Sequence, residues 1–216
     1  FADKNDSFAV NITSNENLFE GLPNLQDIVE NGGLYFGSSV LKGNKIQEFK
    51  YEFRPWSSLD KIQKRIVKTT NLNEEELYLK GLKEEEGRKR PVEYEIDLDE
   101  FKIGEVRFDI IIFEKDAAIF NFVNTEKRSI NEYLAENGGI RVYRDNVRVY
   151  DYGERDNDWL GIDLKRVSRV GGNVSNNIVL GYVRLKRSES IGLREKTNRE
   201  GFIEDENYNA FVDAIS

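Results

Sequence analysis

The segment Glu105 to Phe113 limits the architecture more than any other part of the chain. Val106, Phe108, Ile110 and Ile112 alternate with Arg107 and Asp109, the period of a strand with one apolar face. Ile111 and Phe113 then interrupt the polar side, so part of that face needs cover as well. Such a strand belongs near the middle of a sheet flanked by other elements. The rest of the chain must supply both its neighbours and its cover.

Neighbours are legible on either side. Leu34 to Leu41 and Ile46 to Phe53 read as strands joined by the turn Lys42-Gly43-Asn44-Lys45. Ile140 to Tyr150 reads as a hairpin turning at Asp145-Asn146. Its register sets Val142 opposite Val149 and Tyr143 opposite Arg148, a plausible cation–π pair. Ile178 to Leu185 is a further strand, and Phe8 to Ile12 suits a short one. Helices are expected after Ser57 or Ser58, with Leu59, Ile62 and Ile66 on one face. A second should start at the capping box Ser129-Ile130-Asn131-Glu132 and end at Gly138-Gly139. The last carries Tyr208, Phe211, Val212 and Ile215. Residues 15–33 read as a loop with one helical turn, and 151–177 as a polar connection anchored by Trp159. The charged stretch 71–90, with Glu84-Glu85-Glu86 before Arg88-Lys89-Arg90, reads as a solvated loop. Hairpins among irregularly spaced helices predict an α+β sheet with helices packed on one face, rather than a doubly wound parallel sheet. An N-terminal arm over residues 1–33 would precede a main domain over 34–216.

Composition narrows the chemistry. The 216 residues include no Cys and no His, which excludes disulfides, thiolate metal sites, thiol nucleophiles and imidazole proton transfer. A net charge of −8 argues against a dedicated binder of nucleic acid or anionic membrane, although a local basic loop can still take phosphate. No apolar run reaches the length of a membrane span, and the expected location is cytoplasmic.

Three segments, in order, carry a resemblance. They are Gly138-Gly139-Ile140-Arg141-Val142-Tyr143-Arg144-Asp145, then Asp158-Trp159-Leu160-Gly161-Ile162-Asp163, then Gly181-Tyr182-Val183 leading to Lys196-Thr197-Asn198-Arg199-Glu200-Gly201. Together they resemble the region after the nucleotide pocket in bacterial ATPases of the GHKL superfamily, the group of gyrase, the ninety-kilodalton heat-shock chaperone, histidine kinases and the mismatch-repair ATPase. The resemblance is dense over about residues 129–216 and thin before Phe101. It implies a transducer domain of the ribosomal-protein-S5-like fold. By position, Arg199 matches the chaperone arginine that reaches the terminal phosphate of ATP. Lys196 stands where the chaperone has a neutral polar residue, but gyrase and the mismatch-repair ATPase use a lysine for equivalent work. Thr197 and Asn198 complete the loop that would contact the nucleotide.

The residues also support plainer roles. Thr197 or Asn198 suits the N-cap of the final helix, and Arg199 suits an ion pair with Glu204 or Asp205. The catalytic Glu/Asn helix, the Asp-containing glycine motif and the glycine-rich lid of the superfamily's pocket are not found in the sequence. The expectation is therefore a fragment that neither binds ATP well nor hydrolyses it. ATP and Mg2+ would belong to a parent protein, held by an upstream nucleotide-binding domain of the same polypeptide. The parent would be an ATPase, with a protein partner or a second copy as further contacts. The alternative is a non-catalytic protein-interaction module that uses an acidic sheet or the Trp159 loop.

Overall fold

Val106–Phe113 (β6) is the middle strand of a seven-stranded sheet, as its two partly apolar faces require. The other strands are β1 (Gly33–Lys42), β2 (Lys45–Phe53), β3 (Arg65–Lys68), β7 (Gly139–Arg144), β8 (Val147–Val149) and β9 (Val179–Leu185), in the order β3-β2-β1-β6-β9-β7-β8. Only β7 and β9 run parallel; all other pairs are antiparallel. The computed structural model describes residues 27–83, 91–168, 174–198 and 200–216. The expected strand Phe8 to Ile12 and the run Glu84-Glu85-Glu86 lie outside the described residues. Among the described residues no helix is long and apolar enough to cross a membrane.

Both hairpins turn where the sequence places them, and the second takes the register read from it. Leu41 and Lys42 face Ile46 and Lys45 around Gly43-Asn44, and Val142 faces Val149 with Tyr143 opposite Arg148. Asp145 and Asn146 have φ of 49° and 63°, the left-handed pair that a two-residue hairpin turn needs. The cation–π pair does not form. Arg148 instead reaches Glu154 at 2.6 Å, and the Tyr143 ring lies 6.2 Å from Tyr182.

The helices differ from expectation in number, place and side. Four α-helices occur among the described residues: α1 (Ala117–Phe120), α2 (Lys127–Asn137), α3 (Ile162–Ser168) and α4 (Glu206–Ile215). No helix follows Ser57. The Ser57 hydroxyl accepts from Asn124, the Ser58 hydroxyl donates to the Phe122 carbonyl, and Ile66 joins β3 opposite Glu52. The box at Ser129 does not form, because the N-cap of α2 lies three residues earlier. Glu126 is the N-cap, Ser129 donates to its carboxylate at 2.6 Å, and Glu132 is taken by Arg128 at 2.7 Å.

Two elements were hidden by polar sequence. β4 (Lys80–Lys83) and β5 (Val92–Glu95) form a separate ribbon that packs against α4, where the Tyr94 hydroxyl donates to Asp213 at 2.8 Å. Helix α3 starts on Asp158, whose carboxylate accepts from the N–H groups of Ile162 and Asp163 at 2.8 Å each.

Cover lies on both faces of the sheet, which corrects the expected single helical layer. Helix α2 packs its Ile130 against Phe113, over Gly32. Phe113 and Ile111 share a face with Arg107 and Asp109, so this is the half-apolar side. The opposite face carries Ile140, Val142 and Val183, and is covered by an aromatic cluster. There Phe211 of α4 stacks on Trp159 at 5.6 Å, Tyr152 meets Trp159 at 4.9 Å, and Phe202 meets Phe211 edge-on at 6.1 Å. The half-apolar character of β6 is the physical reason: Ile111 and Phe113 need cover as much as Val106 does. Ile28, in the turn Ile28–Gly32, is buried in the same core, so residues 27–33 pack with the main body.

Glu52 ties the long β2–β3 connection to the sheet. Its side chain is 3% exposed and pairs with Lys50 at 2.9 Å, Arg54 at 2.8 Å and Lys64 at 2.5 Å. The Arg54 guanidinium, then the Lys64 ammonium, hold its carboxyl well below the usual carboxylate range despite burial. A carboxyl with a depressed folded pKa contributes stability above its unfolded value, and that stability is lost as pH falls through the folded one. Glu52→Gln should therefore cost about 1–3 kcal/mol at neutral pH. The gap between variant and wild type should narrow as pH drops below about 4. Thermal unfolding of both proteins across the acid range measures this, and a constant gap would exclude the ion cluster as its source.

Candidate functional site

The loop from Lys186 to Asp205 leaves the C-terminal end of β9 and returns to start α4. Its anchor is Arg144, which alternation in β7 points to the same side as Ile140 and Val142. A guanidinium at an inward position must be fully bonded, because an unpaired buried charge is costly. Arg144 is 4% exposed and meets that demand from the loop alone. Its Nε donates to the Ser190 hydroxyl at 2.9 Å, one Nη to the Ser190 carbonyl, and the other Nη to Glu195 at 3.0 Å. The guanidinium also lies 5.4 Å from the centre of the Phe202 ring. Glu195 further accepts from Arg187 at 3.0 Å.

Beyond this anchor the chain forms a narrow turn whose returning side lies against the body, where Glu200 bridges Tyr150 and Gly201 is buried beside Tyr152. Glu195 and Phe202 pair as an antiparallel bridge, the Arg194 carbonyl accepts from Ile203 at 2.8 Å, and the Lys196 N–H donates to the Gly201 carbonyl at 2.9 Å. Lys196, Thr197, Asn198, Glu200 and Gly201 thus lie at the tip. Gly201 has a φ of 83°, which disfavours any side chain there. The Tyr152 hydroxyl accepts from the Phe202 N–H at 2.9 Å and fixes the returning strand from below. Burial pushes the Tyr152 phenol far above its ordinary pKa, so it stays neutral.

The structure places Lys196, Thr197 and Asn198 on this tip; Arg199 lies outside the described residues. The Lys196 side chain is 40% exposed and pairs with Glu204 at 2.9 Å; the Glu204 carboxylate holds the ammonium pKa above its ordinary value. Asn198 donates to the Glu200 carboxylate at 2.6 Å and accepts from the Glu200 N–H at 3.2 Å, closing the turn locally.

Neither Thr197 nor Asn198 caps α4. Asp205 does so, accepting from the Tyr208 N–H at 3.2 Å. Burial pushes the Asp205 carboxyl up, but Arg194 at 3.0 Å and the helix N–H groups outweigh it and leave the pKa lowered. The carboxylates weighed as partners for Arg199 already hold Lys196 and Arg194.

Arg144 and Tyr152 were not singled out by sequence reasoning as supports of this loop. Arg144 carried a signal, because it is a charge at an inward position of an otherwise apolar alternation. Tyr152 carried none. Comparison with family models, with curated proteins and with solved structures finds no match to the chain.

Arg144→Met removes the cation and leaves the Ser190 carbonyl and one bond to Glu195 unsatisfied. It should cost about 2–4 kcal/mol in chemical denaturation. It should also raise amide exchange at Leu193, Glu195 and Phe202 more than at Ile111 in β6. Uniform acceleration across both regions would mean that Arg144 supports the whole fold and not this loop in particular.

Proposed function

We propose that the chain is the transducer domain of a GHKL-type ATPase, with an S5-like fold. In this reading the 196–201 tip is presented to the terminal phosphate of ATP held, with Mg2+, by an upstream domain of the same polypeptide. The observation that carries the reading is the mounting of the tip: a short turn bearing Lys196, closed by the Glu195–Phe202 bridge and seated on a buried guanidinium. A leaving phosphoryl group spreads negative charge over its oxygens, and a cation held in place stabilises that charge without reorganising first. Lys196 has the required character. Its ion pair with the exposed Glu204 is of a kind worth little in water and is readily exchanged for a phosphate. Arg199, two residues from the end of the tip, is the second cation in sequence. Delivering both from a separate domain completes the pocket only on closure, which couples hydrolysis to motion.

A protein-interaction module is the second reading. It draws on Tyr35, Tyr51, Phe53, Ile110 and Ile112, which share one sheet face and stay only half-buried. The Trp159 loop offers it less. The indole donates to the Ile140 carbonyl at 2.8 Å and stacks in the core.

The two readings part on the longer polypeptide. The ATPase reading expects the upstream reading frame to encode a Glu/Asn helix and an Asp-containing glycine motif. It expects Arg199→Ala in that protein to lower ATP turnover by about tenfold or more with modest loss of nucleotide affinity. Steady-state hydrolysis and nucleotide titration measure both; unchanged turnover would remove Arg199 from the mechanism.

A further inference from the structure

Across the sheet from that loop's anchor, on the face that carries Arg107 and Asp109, lies an open cleft of about 510 Å³. It spans β3, β2, β1, β6 and β9, and Lys196 does not line it. Strand register gives the cleft an unusual charge pattern. Lys50 of β2 stands directly opposite Lys68 of β3, and Arg107 of β6 stands directly opposite Arg184 of β9. Like charges directly opposed on neighbouring strands destabilise a sheet. Here two such pairs flank one cavity, on a chain whose net charge is −8.

Carboxylates offset part of the repulsion. Lys50 pairs with Glu52 at 2.9 Å, Arg107 with Glu105 at 2.8 Å, and Arg184 with Asp109 at 2.9 Å. Lys68 is exposed and has no ion-pair partner among the described residues. The lining as a whole holds the four cations against Glu48 and Asp109, an excess of positive charge. Between the two pairs runs β1, which contributes the Ser38 hydroxyl, and Thr70 adds another at the rim.

We infer that this cleft binds a small ligand carrying two or more phosphoryl groups. Two cation pairs separated by the width of β1 call for at least two anionic groups, not one. Arginine offers planar paired donors to phosphate oxygens, and lysine offers point charge. The volume is in the range of small-molecule sites. Phe49 is the lone aromatic in the lining, so the cleft lacks the series of stacking rings that single-stranded nucleic acid uses. Recognition therefore rests on the phosphoryl groups. The inference is independent of the proposed ATPase role, which concerns a different loop.

The test titrates inorganic diphosphate into the 216-residue chain at low ionic strength and follows backbone amides by NMR. Orthophosphate and a short oligothymidylate serve as comparison probes. Diphosphate is expected to give saturable shifts at Ser38, Lys50, Lys68 and Arg184, with affinity about fivefold or more above orthophosphate. Lys68→Gln, an exposed substitution that leaves the other ion pairs in place, is expected to weaken diphosphate by about threefold or more. Four results would each overturn the inference. They are no saturation into the tens of millimolar, shifts confined to residues 195–202, equal affinity of Lys68→Gln and wild type, and tighter binding of oligothymidylate than of diphosphate.

Discussion

A guanidinium with almost no access to water holds the loop between β9 and α4 in place. Arg144 occupies a strand position that alternation turns toward the core, and the cost of burying its charge makes its partners obligatory. Those partners, Ser190 and Glu195, both belong to one loop, so the charge of β7 dictates where that loop can lie. Its distal part inherits the constraint. The Glu195–Phe202 bridge, the Tyr152 hydroxyl on the Phe202 N–H and the Asp205 cap of α4 all follow within a few residues. An electrostatic demand in the sheet thus becomes a geometric property of a surface loop.

Cations are unevenly placed on this acidic chain. Lys196 projects from the loop, while Lys50, Lys68, Arg107 and Arg184 converge on the cleft at the other side of the sheet. The middle strand makes that separation possible. Its Arg107 and Asp109 leave one end of a face polar, while Ile111 and Phe113 seal the other end under α2. The opposite face is apolar throughout β6, and the aromatic cluster around Trp159 covers its β7 side. One eight-residue strand therefore sets the places of core and cleft.

Much of this was legible where side-chain periodicity and turn chemistry agree. The β1–β2 and β7–β8 hairpins, the register of Val142 on Val149, the strand at β9 and the last helix all follow from alternation, Gly or Asn turns and a 3.6-residue apolar repeat. The misreadings arose where a polar side chain took a partner other than the local backbone. Ser57 and Ser58 looked like helix caps but bond residues near 122–124, and Glu132 looked like half of a capping box but is held by Arg128. Helix α3 and the β4–β5 ribbon have no strong apolar repeat; the nearby Asp158 carboxylate starts the helix, and the tertiary Tyr94–Asp213 bond holds the ribbon to α4. For the site, the sequence marked the loop and its cations through a family resemblance. The inward Arg144 that mounts the loop could have been found from alternation alone, whereas Tyr152 could not.

The central claim is that a rigidly mounted basic tip meets a phosphoryl group bound elsewhere in a longer polypeptide. A structure of that polypeptide closed around a non-hydrolysable ATP analogue tests it most directly. The account predicts the Lys196 ammonium or the Arg199 guanidinium within about 3 Å of a terminal phosphate oxygen, with the Arg144–Glu195 contact intact. A closed, nucleotide-filled state in which both cations face solvent, beyond hydrogen-bonding reach of any phosphate oxygen, would contradict it.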